Sequence, residues 1–492
     1  LLEPAQKTFT AGEKGNTVVS WKIAVPEGLQ AVVYRTTASS GAFSDGEEAP
    51  VPVLTNRMLV TESLPLPVNG NQTKRFSFGK LLESSNAGST LRNHRLTLEF
   101  TSNPAWYAVQ ALPYLMEFPY ECAEQLFSRF YANSIATYIA NSDPKIKRVF
   151  DSWKNITPDA LKSNLEKNEE LKSVLIEESP WVREAANESE RKQRIAVLFD
   201  LNKMSNELSG SLKKLNDMQA PNGGWPWFKG MPDSRYITQH IVAGMGHLMH
   251  LGINDLLSKP DTRNMLESAV QYLDDRITED LVNIKKHDSL YQKNNYLGYD
   301  VAHYLYARSY FLDAFPVKDK NLEAFNFFKN QASQYWKKQG NYMKGMIALA
   351  LNRLKVAKTP QLIMRSLSET ALHNDEMGMY WRNEPRGWFW YQAPIETQAL
   401  LIEAYDEVMN DQKSVEELKI WLLKQKQTQD WKTTRATTEA VYALLLRGTN
   451  LLSSDKLAEI QLGNITVDPG KLEGPQRPEA GTGYFKTSWD GG

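Results

Sequence analysis

From residue 1 to about residue 105 apolar and polar positions alternate, with many β-branched residues, as in 17–23 and 96–100, and Pro and Gly punctuate the run at short intervals. A period of two marks half-buried strands, so this stretch predicts pieces of small β-sandwiches, divided around residues 50–56 and at Pro65-Leu66-Pro67. From about Trp106 to Arg447 the period lengthens to that of a helix, with apolar stripes such as Ala348, Leu351, Asn352, Leu354 and Thr397, Leu400, Leu401, Ala404, Tyr405. Roughly a dozen helices of ordinary length fit there. Several follow an aromatic loop and a Thr-rich start: Gly223-Gly224-Trp225-Pro226-Trp227 before Thr238, Gly387-Trp388-Phe389-Trp390 before Thr397, and Trp431 before Thr434, Thr437 and Thr438. A loop-then-helix unit used repeatedly predicts helical hairpins arranged in a ring, although the spacing is too uneven for a strict repeat. After Leu446 strand patterns return at 460–467 and 483–486, so the helical block reads as inserted between two β segments.

Composition adds limits. With 492 residues, 41% hydrophobic and 11% aromatic, the chain can bury large cores and is not a disordered one. Its 57 Lys and Arg nearly cancel 58 Asp and Glu, so nothing advertises a nucleic-acid partner. No apolar run approaches a membrane span; the stretch 241–253 is interrupted by His247 and His250. The single cysteine, Cys122, forbids an intrachain disulfide and any cysteine-rich metal site. The seven histidines lack ligand spacing, and His247 and His250 have no third ligand nearby in sequence, so no metal and no cofactor is expected. The start at Leu1 without methionine, and the end within a strand-rich piece, read as an excised fragment.

Cys122 stands three residues before Gln125 in Phe118-Pro119-Tyr120-Glu121-Cys122-Ala123-Glu124-Gln125, where a proline precedes a helical run. Residues three apart share a helix face, so thiol and carboxamide can meet. A thiolate is favoured at a helix N-terminus, and its attack on the Gln125 carboxamide carbon with loss of ammonia would close a thiolactone. Spacing by itself favours an ordinary buried thiol and a solvated glutamine, because a Cys and a Gln three apart occur by chance.

The stretch 119–129 resembles the thioester motif of the alpha-2-macroglobulin and complement family in its bacterial branch. Cys122, Glu124 and Gln125 match the motif, with Pro119, Tyr120, Ser128 and Arg129 in support. Glu121 stands where a glycine is common and Ala123 where vertebrate members carry another, a harmless change in a helix. The resemblance implies a multidomain chain: an α/α toroid of the α6/α6 kind inserted into a CUB-type β-sandwich and preceded by part of a macroglobulin-like β-sandwich. Residues 1–53 would end the macroglobulin-like sandwich, 54–105 begin the CUB-type domain, 106–447 form the thioester toroid, and 448–492 begin the CUB-type return.

It also implies a function: a protease inhibitor that captures its attacker covalently once a bait segment is cut, a nearby lysine amine attacking the Gln125 acyl carbon and freeing Cys122. This is a single-use acylating device, not a turnover enzyme. Its partners would be target proteases, and the parent, a monomer, would lie in the periplasm, at the cell envelope or outside the cell. A thioester must be kept dry. Phe118, Tyr120, Phe127 and Tyr131 are near enough in sequence to shield it; plain core packing is the commoner role for such residues, and both roles can hold together. Glu124 could polarise the carbonyl or cap the helix. Some complement members use a histidine for acyl transfer; His240 is closest by position but offset by a few residues, which favours a histidine-independent, amine-preferring thioester with His240 a satisfied helix residue. The rival reading is a glycan-binding or glycan-processing α/α toroid, its Trp-rich loops lined by Asp233, Glu384 and Glu396. A cysteine hydrolase pairing Cys122 with His240 or His303 would need an orienting partner and an oxyanion hole that the sequence does not announce.

Overall fold

The computed structural model describes residues 1–25, 31–53, 62, 64–68, 73–84, 91, 93, 95–101, 105–117, 122–142, 201–375, 377–382, 394–426, 431, 433–446, 458–471 and 485–490. These fall into two compact units, the first within Leu1–Thr61. It holds an antiparallel hairpin of β1 (Ala31–Ser40) and β2 (Phe43–Pro52), in register from Ala31↔Pro52 to Ser40↔Phe43. Gly41 makes the turn at φ +58, a conformation that a Cβ disfavours. The strand expected at 17–23 is not formed: the segment is irregular and Val18 is 92% exposed. Alternation predisposes a backbone to extend, but a strand exists only where a neighbour completes its ladder.

The second unit holds thirteen α-helices among the described residues. They are α1 (Gly79–Ser84), α2 (Ala105–Glu117), α3 (Ala123–Ser142), α4 (Leu201–Met218), α5 (Arg235–His250), α6 (Pro260–His287), α7 (Tyr299–Ser309), α8 (Asp319–Tyr335), α9 (Asn341–Arg353), α10 (Thr359–Thr370), α11 (Pro394–Ala404), α12 (Gln412–Lys424) and α13 (Thr434–Leu445). Capping explains several starts. Ser234 accepts from Ile237 N–H ahead of α5, Thr433 from Ala436 N–H ahead of α13 and Asp411 from Ser414 N–H ahead of α12, while Pro260 opens α6. A π-helical turn, Tyr405–Met409, extends α11 and stops at Asn410, whose φ is +51.

Six of these helices pack in a closed cycle: α3 on α5, α5 on α7, α7 on α9, α9 on α11, α11 on α13, and α13 back on α3. Six others pack outside: α2 and α4 on α3, α6 on α5, α8 on α6 and α9, α10 on α9 and α12 on α11. The six cyclic helices are buried over most of their length; Thr397, Leu400, Leu401, Ala404 and Tyr405 are all buried, as the stripe predicted. Close approach needs glycine at two places. A Cβ on Gly244 of α5 would lie 2.3 Å from the Phe127 ring of α3, and one on Gly246 would lie 2.4 Å from the Tyr310 ring.

Two of the three aromatic loops are structural, and 387–390 lies outside the described residues. The Trp225 indole donates to the Leu215 carbonyl of α4 at 2.8 Å while its backbone N–H reaches Thr238 Oγ1 of α5 at 2.9 Å. Trp431 repeats the device, its indole on the Leu422 carbonyl of α12 at 2.8 Å and its N–H on Thr437 Oγ1 of α13 at 3.0 Å. Each loop thus staples the end of one helix to the first turn of the next.

β-Structure flanks the helical block. β3 (Arg95–Phe100) pairs antiparallel with β10 (Phe485–Asp490). The pattern at 460–467 is a hairpin rather than one strand, β8 (Ile460–Leu462) and β9 (Ile465–Val467), because the chain turns at Gly463 with φ +57. Leu98, Val467 and Phe485 form a small core of their own, with Phe485 stacked on Phe100 at 5.3 Å. The two-residue pair β4 (Trp225–Pro226) with β5 (Asp233–Ser234) and the pair β6 (Leu372–Asn374) with β7 (Gly378–Tyr380) are short ladders between helices.

Candidate functional site

Cys122 occupies the N-cap of α3: its carbonyl accepts from Leu126 N–H at 2.9 Å, the first bond of the helix. The thiol is 6% exposed and makes no disulfide. Burial pushes its pKa up, the backbone N–H groups of Gln125 and Glu124 pull against that by hydrogen-bonding the sulfur, and the Glu124 charge adds to the rise. Gln125 follows one turn on, half-buried, and its Oε1 is enclosed with no hydrogen-bond partner. Sulfur and carboxamide therefore sit on the same first turn.

Glu124 is buried and accepts from Ser128 Oγ at 3.1 Å and from Thr434 Oγ1 of α13 at 3.1 and 3.3 Å. Burial raises its pKa, opposed by those two hydroxyls and by Arg435. It therefore ties α3 to α13, a tertiary contact beyond simple capping. Of the four aromatic residues expected to shield the thiol, Phe127 and Tyr131 are fully buried and pack together at 5.9 Å; Phe118 and Tyr120 lie outside the described residues.

His240 of α5 meets Phe127 edge-on at 5.7 Å. Burial, with Arg435, His303 and His247 nearby, holds its pKa well below the usual imidazole value, so the ring is neutral. Contrary to the expectation of a satisfied helix histidine, its Nε2 has no partner. Helical periodicity showed its face but not what lay opposite. Neither His240 nor His303 has a hydrogen bond to Cys122 among the bonds of the described residues, and no dyad is assembled.

The residues that surround this turn were not legible beforehand. Arg435, buried, donates to Tyr236 Oη and, at 2.9 Å, to Tyr342 Oη, and its Nε lies 4.0 Å from Glu396 Oε1. One sequence signal was available: a cation in the first turn of a helix opposes the backbone dipole and needs partners elsewhere. The Trp227 carbonyl accepts from Ala123 N–H at 2.9 Å, and the Trp227 ring stacks on Tyr236 at 5.8 Å.

The far ends of the same helices carry a second polar cluster. His247 follows His240 by two turns, about 10 Å along α5. Glu403 of α11 accepts from Tyr306, Tyr310, Tyr442 and Arg353, which reaches it at 2.7 Å. Burial alone would push Glu403 up, but Arg353, His247, His250 and the Tyr306 hydroxyl hold it down to about 2. Ligand atoms of His250, Glu403 and Glu407 come within 4.8 Å of one another, correcting the expectation that His250 had no ligand set near it; residues so far apart in sequence meet only through the fold. Arg353 already bonds both carboxylates, so a protein cation fills that role. A cavity of about 380 Å³ beside it is lined by His250, Leu251, Asp406, Glu407, Asn410 and Leu445, among others.

The described residues of the glycan reading are taken up by the fold. Trp225 is 0% exposed with its indole N–H spent on a carbonyl and offers no face to a sugar, and the half-buried Trp227 ring stacks on Tyr236. Asp233 accepts from Tyr272 at 2.5 Å and Asn222 at 3.3 Å, and Glu396 is buried beside Arg435. Trp388, Trp390 and Glu384 lie outside the described residues.

No family model matches the sequence. A search of curated proteins likewise found no match. Among solved structures the chain is similar to native alpha-2-macroglobulin from Escherichia coli spanning domain MG7 to the C-terminus, at 13% identity and a TM-score of 0.46, covering 94% of this chain and 53% of that one. It is similar, at 14% identity and the same TM-score of 0.46, to the native conformation of E. coli alpha-2-macroglobulin, covering 94% of this chain and 21% of that one. The chain thus spans about half of the first protein and a fifth of the second, and at these scores no residue or activity is carried across from either.

Proposed function

We propose that Cys122 and Gln125 form an internal thioester and that this chain is the acylating part of a protease-capturing protein of the alpha-2-macroglobulin type. The observation that carries the reading is the first turn of α3. A buried thiol and a glutamine whose carbonyl oxygen is enclosed and unpartnered share one turn, beside two fully buried aromatic rings. A thioester asks for that setting, because its acyl carbon is electrophilic and water would consume it. Ring closure joins Cys122 Sγ to the Gln125 carboxamide carbon and releases ammonia. Opening by an amine forms an amide at that carbon and returns Cys122 as a thiol. Nothing regenerates the bond, so each molecule acts once.

On this reading the six-helix cycle with its outer helices is an α/α toroid, and the strands that flank it, β3 with β10 and the β8–β9 hairpin, belong to a CUB-type sandwich into which the toroid is inserted. The targets are proteases, captured through lysine amines, and the setting is the periplasm, envelope or exterior. His240 stays out of the chemistry, which makes the thioester amine-preferring. The test is intact mass before and after methylamine. The expected chain is lighter than its encoded residues by one ammonia, gains methylamine, and then exposes one thiol; Cys122→Ala shows none of these. A chain of full encoded mass that ignores methylamine would sink the proposal.

A further inference from the structure

The first turn of α3 is gripped from two sides by one closed circuit of contacts. On one side Ala123 N–H donates to the Trp227 carbonyl at 2.9 Å, and the Trp227 ring stacks on Tyr236 with 19° between planes. On the other side Glu124 accepts from Thr434 Oγ1 at 3.1 Å. The circuit closes through Arg435, the next residue after Thr434, whose guanidinium donates to Tyr236 Oη. The same guanidinium reaches Tyr342 of α9 and faces Glu396 of α11. One side chain on α13 therefore ties α5, α9 and α11 to Ala123 and Glu124, the two residues between Cys122 and Gln125. A guanidinium suits this position because its planar fork bonds two hydroxyls at once in fixed directions, which an ammonium does not do.

We propose that Arg435 is a positioning residue for the Cys122–Gln125 turn, holding it through Tyr236 and Trp227 on one flank and through the Thr434–Glu124 bond on the other. Its function here rests on the thioester reading, but the grip itself does not. With the circuit intact the sulfur is kept dry over the N–H groups of Glu124 and Gln125. With it broken the turn loosens, water reaches the sulfur and the thiol behaves more like one in solution.

The variants are Arg435→Lys, which keeps the charge and loses the fork, and Tyr236→Phe, which removes only the hydroxyl and keeps the ring on Trp227. Each is placed in a Gln125→Ala background, where Cys122 cannot be capped, and iodoacetamide alkylation of Cys122 is followed against pH. Both are expected to move the profile to lower pH and to speed alkylation about tenfold at a fixed mildly alkaline pH, the effect of one pKa unit on the thiolate fraction. A residue serving stability alone would lower the melting temperature and leave the profile in place, and that result overturns the proposal. Should Arg435→Lys fail to fold, Tyr236→Phe decides. With Gln125 present, the fraction of molecules lighter by one ammonia is expected to fall in both variants. If even the wild-type chain is never lighter, the thioester reading fails while the alkylation profiles still decide the role of Arg435.

Discussion

Glu439 shows how a single residue can record the interior it sits in. Burial pushes its carboxyl up to about 7 against the pull of Arg435, and Glu396 and Glu403 add to the rise. The folded state therefore holds this proton more tightly than the unfolded chain does. Stability from this group is full below the ordinary carboxylate range and is lost as pH rises towards about 7. Urea midpoints measured from about pH 5 to about pH 8 are expected to decline for the wild type and to flatten over the same window in Glu439→Gln. Equal slopes in the two proteins would contradict the assignment. Trp431 poses a simpler question: Trp431→Phe leaves the buried Leu422 carbonyl without its donor, which costs ~1–3 kcal/mol by urea denaturation.

At the scale of elements, the contact between α3 and α5 sets the surroundings of the thiol. Gly244 leaves room for Phe127, and a Cβ there would stand 2.3 Å from the ring. Gly244→Ala must turn the Phe127 ring or part the helices, at ~1–3 kcal/mol. Because Phe127 also touches Tyr131 and His240, the same variant is expected to admit iodoacetamide to Cys122 faster than the wild type does. A loss of stability with no change in thiol access would place Phe127 in the core and remove it from the shield.

At the scale of the molecule, the second unit carries two separate apolar clusters, a large helical one and the small one of Leu98, Val467 and Phe485. Strands on either side of the helical block meet in the small cluster, so the chain must close a long loop to build it. Phe485→Ala removes the stacked ring and costs ~3–5 kcal/mol locally. Hydrogen exchange is expected to lose protection in β3, β8, β9 and β10 while α5, α7, α9 and α11 keep theirs. A uniform loss throughout the helices would show that the two clusters unfold as one.

Local pattern determined the helical block, its apolar stripes and the strand at 96–100, because a period of 3.6 or of two is written in neighbouring residues. It also determined that Cys122 and Gln125 would share a turn, since three residues fix that on any helix. The strand expected at 17–23 did not form because alternation does not supply a partner, and 460–467 folded back because one glycine could adopt a positive φ. What only tertiary structure decided was which side chains face that turn. Arg435 lies more than 300 residues after Glu124 and Tyr236 about 200 before Arg435, and their meeting depends on six helices closing a cycle. The same closure spent Trp225 on a helix end, where the sequence left it free to line a sugar site. Chain pattern sets which face of an element is apolar; packing sets what that face meets, and at this site the chemistry lies in what meets.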